Sequence, residues 1–229
     1  MKKKKRRQKP FSPSCEENKD DILKVLKQVI APENSKVVEI ASGTGQHAIF
    51  FAPHFQHLQW VTTDVADKLP GIRMWLDEAR VPNIIGPLEY EVGKDEFPIK
   101  QCDVVFAANI FHMLPWKKDK TLIKDLGNRL RKGAKAIFYG AFNYGGKFTS
   151  QSNEDFDKKI KEEDPQRGIR NFEDVHRAMI KAGFELTKDF EMPYDNRILY
   201  FTRLEHVKPF TSGPEGGPIN PETRFYAKR

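Results

Sequence analysis

An open α/β fold is predicted, with seven mostly parallel strands, an antiparallel last strand and helices on both faces. Three observations predict it. Short apolar runs alternate with helical spacings along most of the chain. One run turns directly into Ser-Gly-Thr-Gly at 42–45. Two strands separated only by PYD close the pattern, so they must pair as a hairpin and one must oppose the rest.

The first helix is read over CEENKDDILKVLKQVI (15–30), where Ile22, Val25, Leu26, Val29 and Ile30 recur at helical spacing. Ser14 is placed to cap it, acids fill its first turn, and Pro32 closes it. KVVEIA (36–41) is the first strand, apolar on both faces as buried parallel strands are. A helix follows to about Phe51 and ends near Pro53. LQWVTTD (58–64) is the second strand and DKLPGIRMWLDEAR (67–80) the next helix. PLEYEV (87–92) and DVVFAANI (103–110) are the third and fourth strands. From Lys117 to Lys132 a helix turns Leu122, Ile123, Leu126 and Leu130 inward, and Gly133 stops it. AKAIFYGAF (134–142) is the fifth strand. The stretch 145–170 is too long for a bare loop, and its middle, Ser152 to Glu163, reads as a helix. FEDVHRAMIKAG (172–183) is the last helix, before the hairpin FELTKDFEM (184–192) and NRILYFTRLE (196–205).

Length and charge divide the chain into a basic tail (1–10), a folded body (11–205) and a Pro/Gly-rich extension (206–229). The formal charge of +7 equals the seven cations of MKKKKRRQKP, and the segment after Glu205 carries a further +2. The body is therefore near −2, which argues against a basic nucleic-acid groove on the fold. The basic run reads as a nuclear-import signal, a weak polyanion anchor, or a solvated tail. It is followed by FSPSCEENKDD rather than an apolar segment, so it is not a secretory signal. No apolar run approaches the roughly 18 residues of a membrane span. Cys15 and Cys102 form no metal-ligand or CxxC spacing, so no metal is expected and the setting is intracellular, cytoplasmic with nuclear entry left open. The sequence leaves the oligomeric state open.

Gly43 and Gly45 stand where a strand becomes a helix, so backbone approaches a ligand without a Cβ in the way. Asp64 follows Gly45 by 19 residues at the end of the second strand, where a carboxylate accepts hydrogen bonds from ribose hydroxyls. Gly43-Thr-Gly-Gln-His-Ala48 also fits the dinucleotide fingerprint, which alone is a weak signal. Glu39, inside the strand, decides between cofactors: it would repel a pyrophosphate and attract the cationic S-adenosylmethionine. His47, on the first turn of the helix, contacts the ligand or caps. A nicotinamide-dependent oxidoreductase is the alternative enzyme. A catalytically silent Rossmann-like protein that binds a partner or RNA through the basic tail is the alternative outside enzymes.

Six blocks resemble the methyltransferase-like protein 26 family, a group of proposed S-adenosylmethionine-dependent methyltransferases. They are FSPSCEENKDDIL (11–23), VVEIASGTGQHA (37–48), DVVFAANIFHMLPW (103–116), YGAFNYGGKFTSQSNEDFD (139–157), DPQRGIR (164–170) and MPYDN (192–196). The resemblance spans about residues 11 to 204 and implies a Rossmann-like class I methyltransferase fold, whose last strand runs antiparallel. It implies S-adenosyl-L-methionine as cofactor, with Asn18, Ala41, Glu91, Val92 and Asn109 joining Glu39, Gly43, Gly45, His47 and Asp64 around it. Two positions depart from the usual pattern: Ala41 stands where many methyltransferases carry a third glycine, and Glu91 where Asp is expected.

Methyl transfer needs alignment of nucleophile and carbon, and removal of a proton if the acceptor carries one. His112, after strand four, has the titration range of a base, or packs against Trp116. Tyr139 and Asn143, on strand five, orient the acceptor, or Tyr139 belongs to the core. In the 145–170 segment Arg170 holds an acidic substrate group, or the polar residues there form a solvated helix. FSPSCEEN, with Glu16 and Asn18, closes over the cofactor. No Asn-Pro-Pro-Tyr-type tetrapeptide follows strand four, where ANIF stands instead, so methylation of adenine or glutamine nitrogen gains no support. The acceptor is unidentified, with a small molecule favoured.

Overall fold

The structure, a computed structural model, describes residues 8–204. The basic run and the C-terminal extension read above lie outside the described residues. In chain order the first elements are α1 (Pro13–Val29), β1 (Lys36–Glu39), α2 (Gln46–Phe51), β2 (Gln59–Asp64), α3 (Leu69–Ala79) and β3 (Ile84–Glu89). There follow β4 (Val104–Ala108), α4 (Trp116–Arg129), β5 (Lys135–Asn143) and α5 (Gln151–Glu163). The last are β6 (Arg170–Asn171), α6 (Phe172–Lys181), β7 (Phe184–Met192) and β8 (Asn196–Arg203).

The main sheet runs β3-β2-β1-β4-β5-β8-β7. The first five of these strands are mutually parallel, and β8 is antiparallel to both β5 and β7. This is the predicted Rossmann-like class I architecture, with the last strand in chain order reversed. One strand is added. The two-residue β6 pairs Arg170 and Asn171 with Phe142 and Asn143 at the end of β5. Two residues carry no periodicity, so a strand this short leaves no pattern to read.

Three boundaries move, each for a local reason. Ser12, not Ser14, caps α1, because Pro13 takes the first helical position and Ser12 Oγ accepts the Cys15 N–H at 3.4 Å. The third strand starts at Ile84 and includes Gly86 and Pro87, read above as its boundary. It is an edge strand, where a residue without an N–H is tolerated, and its register with β2 shifts between Val61 and Thr63. α4 stops at Arg129, ahead of Gly133, because Leu130 leaves the helix in an extended conformation.

Alternation along the buried strands builds two apolar layers. Val38, Ile40, Val105 and Ala107 face α4 and α6. Val37, Trp60, Val104 and Phe106 face α1 and α2, where Phe51 packs edge-on to Phe106 at 5.7 Å. Burying each such aromatic stabilises the fold by about 2 kcal/mol or more. Among the described residues no helix is long and apolar enough to cross a membrane.

Candidate active site

The parallel strands end on one edge of the sheet, and there a cavity of about 920 Å³ opens. This lies within the roughly 300–1,000 Å³ range of small-molecule sites, in the position where open α/β sheets bind ligands. Its floor is the turn from β1 to α2. Ala41, Gly43 and Gly45 all have left-handed backbones, with φ of 56°, 63° and 91°. They let the chain leave a short strand and enter α2 at once. For Ala41 this conformation costs about 1–2 kcal/mol, which glycine would avoid. A Cβ built on Gly43 would meet nothing within 4 Å, so the turn faces open space.

Asp64, at the end of β2, ties this turn down. Its Oδ2 accepts the Gly43 N–H at 2.7 Å and its Oδ1 accepts the Val65 N–H at 2.8 Å. Burial raises its pKa and the two N–H donors oppose the rise. A carboxylate has further lone pairs beyond these two bonds, so capacity for a ligand remains. Glu91 and Val92 lie just past β3 and also line the cavity. The Glu91 carboxylate meets Lys118 Nζ at 2.9 Å and Lys94 Nζ at 3.3 Å, and these two hold its pKa below the usual range.

The start of the chain covers one side. Gln8, Pro10, Ser12, Ser14 and Cys15 all line the cavity. Trp75 Nε1 donates to the Pro10 carbonyl at 2.6 Å, and Lys9 Nζ lies 3.8 Å from the Trp75 ring centre. Gly71 is where Pro10 rests, since a Cβ there would stand 2.7 Å from Pro10 Cγ. Further along, the Ser12 N–H donates to Gln46 Oε1 at 2.6 Å and Gln46 Nε2 donates to Glu16 Oε1 at 2.7 Å. Residues 8–15 thus form a strap fixed to α2 and α3.

The opposite wall comes from the loop after β4 and from the segment after β5. Asn109, in a left-handed conformation, and His112 line it, with Met113, Leu114, Phe156 and Arg167. His112 is almost fully buried, and its ring meets Phe156 edge-on at 5.0 Å. Burial, with the charge of Arg170, pushes its pKa down to about 4. The ring is therefore neutral at pH 7.

The structure gathers Ala41, Gly43, Asp64, Glu91, Val92, Asn109 and His112 around this one cavity. Six other sequence candidates stand elsewhere. Gly45 is behind the turn, where an added Cβ would stand 3.2 Å from Ile72 Cγ2. Glu39 points to the α1/α2 side of the sheet, where its Oε2 accepts the Trp60 Nε1 proton at 2.7 Å. Burial pushes its pKa up to about 8, so it is largely protonated at pH 7 and supplies no fixed negative charge. Tyr139 faces the same side, hydrogen-bonded to Asn18, in the middle of β5 rather than at its end. His47 Nε2 donates to Asn18 Oδ1 at 2.8 Å, and burial lowers its pKa to about 4. Asn18, His47 and Tyr139 thus form an internal polar network under α1, away from the cavity. Arg170 is also engaged elsewhere: its Nε donates to the buried Asp119 Oδ2 at 2.8 Å and its Nη2 to the Leu114 carbonyl. Sequence reasoning did not single out Phe156, and it read Arg167 only as one of several polar residues in the 145–170 segment; the family blocks at 139–157 and 164–170 pointed to the right segment.

Residues 9–203 match the family described as protein of unknown function, DUF938. The chain belongs to that family. In three dimensions it is similar to the S-adenosylmethionine-dependent methyltransferase SibL in its apo form, with a TM-score of 0.70 and 16% identity over 84% of this chain and 56% of that one. An O-methyltransferase family protein from Burkholderia thailandensis matches with a TM-score of 0.69 and 12% identity, over 82% and 59% of the two chains. CalO1, a methyltransferase in calicheamicin biosynthesis solved with SAH bound, matches with a TM-score of 0.65 and 14% identity, over 81% and 54%. This chain spans between half and two thirds of the length of these structures. At such identities the likeness shows the methyltransferase fold.

Proposed function

We propose that the protein is an S-adenosylmethionine-dependent methyltransferase acting on a small-molecule acceptor inside the cell, of the kind its resemblance to the methyltransferase-like protein 26 family implies. The observation that carries this is the open Gly43 turn, tied to Asp64 at the edge of the sheet, in a cavity of about 920 Å³. The residues present fit the cofactor. Gly43 leaves room at the turn, Asp64 has lone pairs for a ribose, and the half-buried Met74 with buried Tyr90 and Val92 supplies apolar surface for an adenine ring. The carboxylates Asp64, Asp67 and Glu91 share the lining with the cations Lys68, Lys118 and Arg167, so charge alone does not choose between a cationic cofactor and a dinucleotide. The structural neighbours support S-adenosylmethionine.

When bound, S-adenosylmethionine supplies a methyl group activated by a positive sulfur. The protein's part is alignment. Asn109 and His112 leave β4, which is separated from β2 and Asp64 by β1 alone, so donor and acceptor residues stand on neighbouring strand ends. The neutral His112 accepts a hydrogen bond from an acceptor hydroxyl and orients it; a ring whose pKa is pushed down to about 4 is a poor proton acceptor at pH 7. The cysteines are free and buried or half-buried, as expected of a reduced compartment.

Calorimetry with S-adenosylhomocysteine tests the proposal. The wild-type chain binds it, while Asp64→Ala and Gly43→Arg do not. The Gly43 substitution fills open space rather than clashing at its Cβ, but its φ of 63° adds a strain of about 1–2 kcal/mol, so folding of the variant is checked by circular dichroism alongside the titration. Retained micromolar binding in both variants contradicts the proposal, as does a larger thermal shift with a nicotinamide dinucleotide than with S-adenosylhomocysteine.

A further inference from the structure

The segment from Asp164 to Arg170 is held in place by bonds that leave one cation on the cavity wall. The Ile169 N–H donates to Asp157 Oδ1 at 2.7 Å, and the Gly168 N–H donates to the His112 carbonyl at 3.1 Å. Arg170 locks the far end onto Asp119 and Leu114. These three ties fix the chain immediately after Arg167, which lines the cavity with His112 and Phe156.

Arg167 is only partly satisfied there. Its Nη1 donates to Glu163 Oε2 at 3.2 Å, but that carboxylate is more than half exposed and screened by solvent. Asp164 Oδ2 stands 3.8 Å from Nε, beyond hydrogen-bond range. The Nε atom is buried and makes no hydrogen bond. A buried donor without an acceptor is costly, and a ligand oxygen would remove that cost. Around it the wall is apolar and partly flat, formed by Phe156, Met113 and Leu114.

We propose that Arg167 is a specificity residue that binds a carboxylate on the methyl acceptor, whose flat apolar body lies against Phe156 and His112. This rests on the methyltransferase reading for the cavity's role. The charge balance selects a monoanion. Beside His112, Lys161 is already paired with Asp157 and Arg170 with Asp119, so Arg167 supplies one partly satisfied cation, which matches one negative charge. The planar guanidinium also matches a carboxylate's geometry better than a lysine would.

The test uses the full chain with and without S-adenosylhomocysteine, titrated calorimetrically with 2-, 3- and 4-hydroxybenzoate and with the matching hydroxybenzamides. At least one acid binds about tenfold more tightly than its amide, as one charge-assisted hydrogen bond provides. Arg167→Gln removes that preference and leaves the amide's affinity and the S-adenosylhomocysteine affinity unchanged. Arg167→Lys restores part of it. If no acid binds, if no acid outbinds its amide, or if Arg167→Gln keeps the preference, the proposal is overturned. Failure of S-adenosylhomocysteine to bind the wild-type chain would strike the donor assignment instead, and the acid and amide titrations without it still decide the role of Arg167.

Discussion

The two halves of the cavity are built by different means. The half proposed to hold the donor is made of backbone: a turn of three left-handed residues, a carboxylate that accepts two N–H groups, and strand ends already aligned by the sheet. The half proposed to hold the acceptor is made of side chains brought from the β4 loop, α5 and the segment before β6. Each half also has a buried carboxylate beneath it; burial raises both pKa values, to about 8 for Glu39 and about 7 for Asp119, and the two differ in partner. Glu39 sits under the donor turn with an indole N–H as partner and is held protonated by burial. Asp119 sits under the acceptor wall and is paired with Arg170, which opposes the upward push of burial on its pKa. A backbone site tolerates a neutral acid below it. A wall assembled from separate segments depends on a charged link.

Three measurements bear on that contrast. The largest effect is expected from Glu39. Its pKa is raised in the folded chain, so the folded state holds a proton that the unfolded state has lost above about pH 4.5. Stability is full below that pH and falls as pH rises to about 8, by up to roughly 1.4 kcal/mol per pH unit. Glu39→Gln removes this slope, and denaturant titrations of the two proteins between pH 5 and 8 should diverge. Parallel curves would mean that Glu39 is ionised and that the donor half also rests on a charge.

Next comes Arg170→Ala, which leaves Asp119 buried without its partner. It should cost about 3 kcal/mol of unfolding free energy and loosen the acceptor wall, with S-adenosylhomocysteine affinity within about twofold where the protein is folded. A large loss of that affinity would show that the halves are not separable. The smallest effect is expected from Trp75→Phe, which removes the bond to the Pro10 carbonyl. S-adenosylhomocysteine binding should weaken by no more than about tenfold, since one hydrogen bond is worth about 1 kcal/mol. No change would detach the strap from the donor half.

The same contrast explains what was legible in the sequence. Gly43, Gly45 and Asp64 lie within 22 residues and obey local rules for turns and strand ends, so the donor half was readable. Glu39, read as facing the cofactor, and Tyr139, read as a site or core residue, both lie on the α1/α2 side of the sheet, Tyr139 within the core. KVVEIA and AKAIFYGAF are apolar on both faces, and a continuous run carries no parity to say which residues point toward a ligand. Arg167 and Arg170 are three residues apart and chemically alike. Only the position of Asp119, fifty-one residues before Arg170, decides which one is consumed inside the fold. The hairpin and α5 were readable because their patterns are long.

The strap has one more consequence. Ser12, Ser14 and Cys15 share the cavity with Gly43 and Asp64, so a ligand there touches the start of the chain as well as the sheet. Docking of residues 8–15 and occupancy of the cavity are then linked equilibria, and each favours the other by the same factor. Residues 8–15 become part of the ligand's binding energy, and the ligand becomes part of what keeps that segment shielded from proteases.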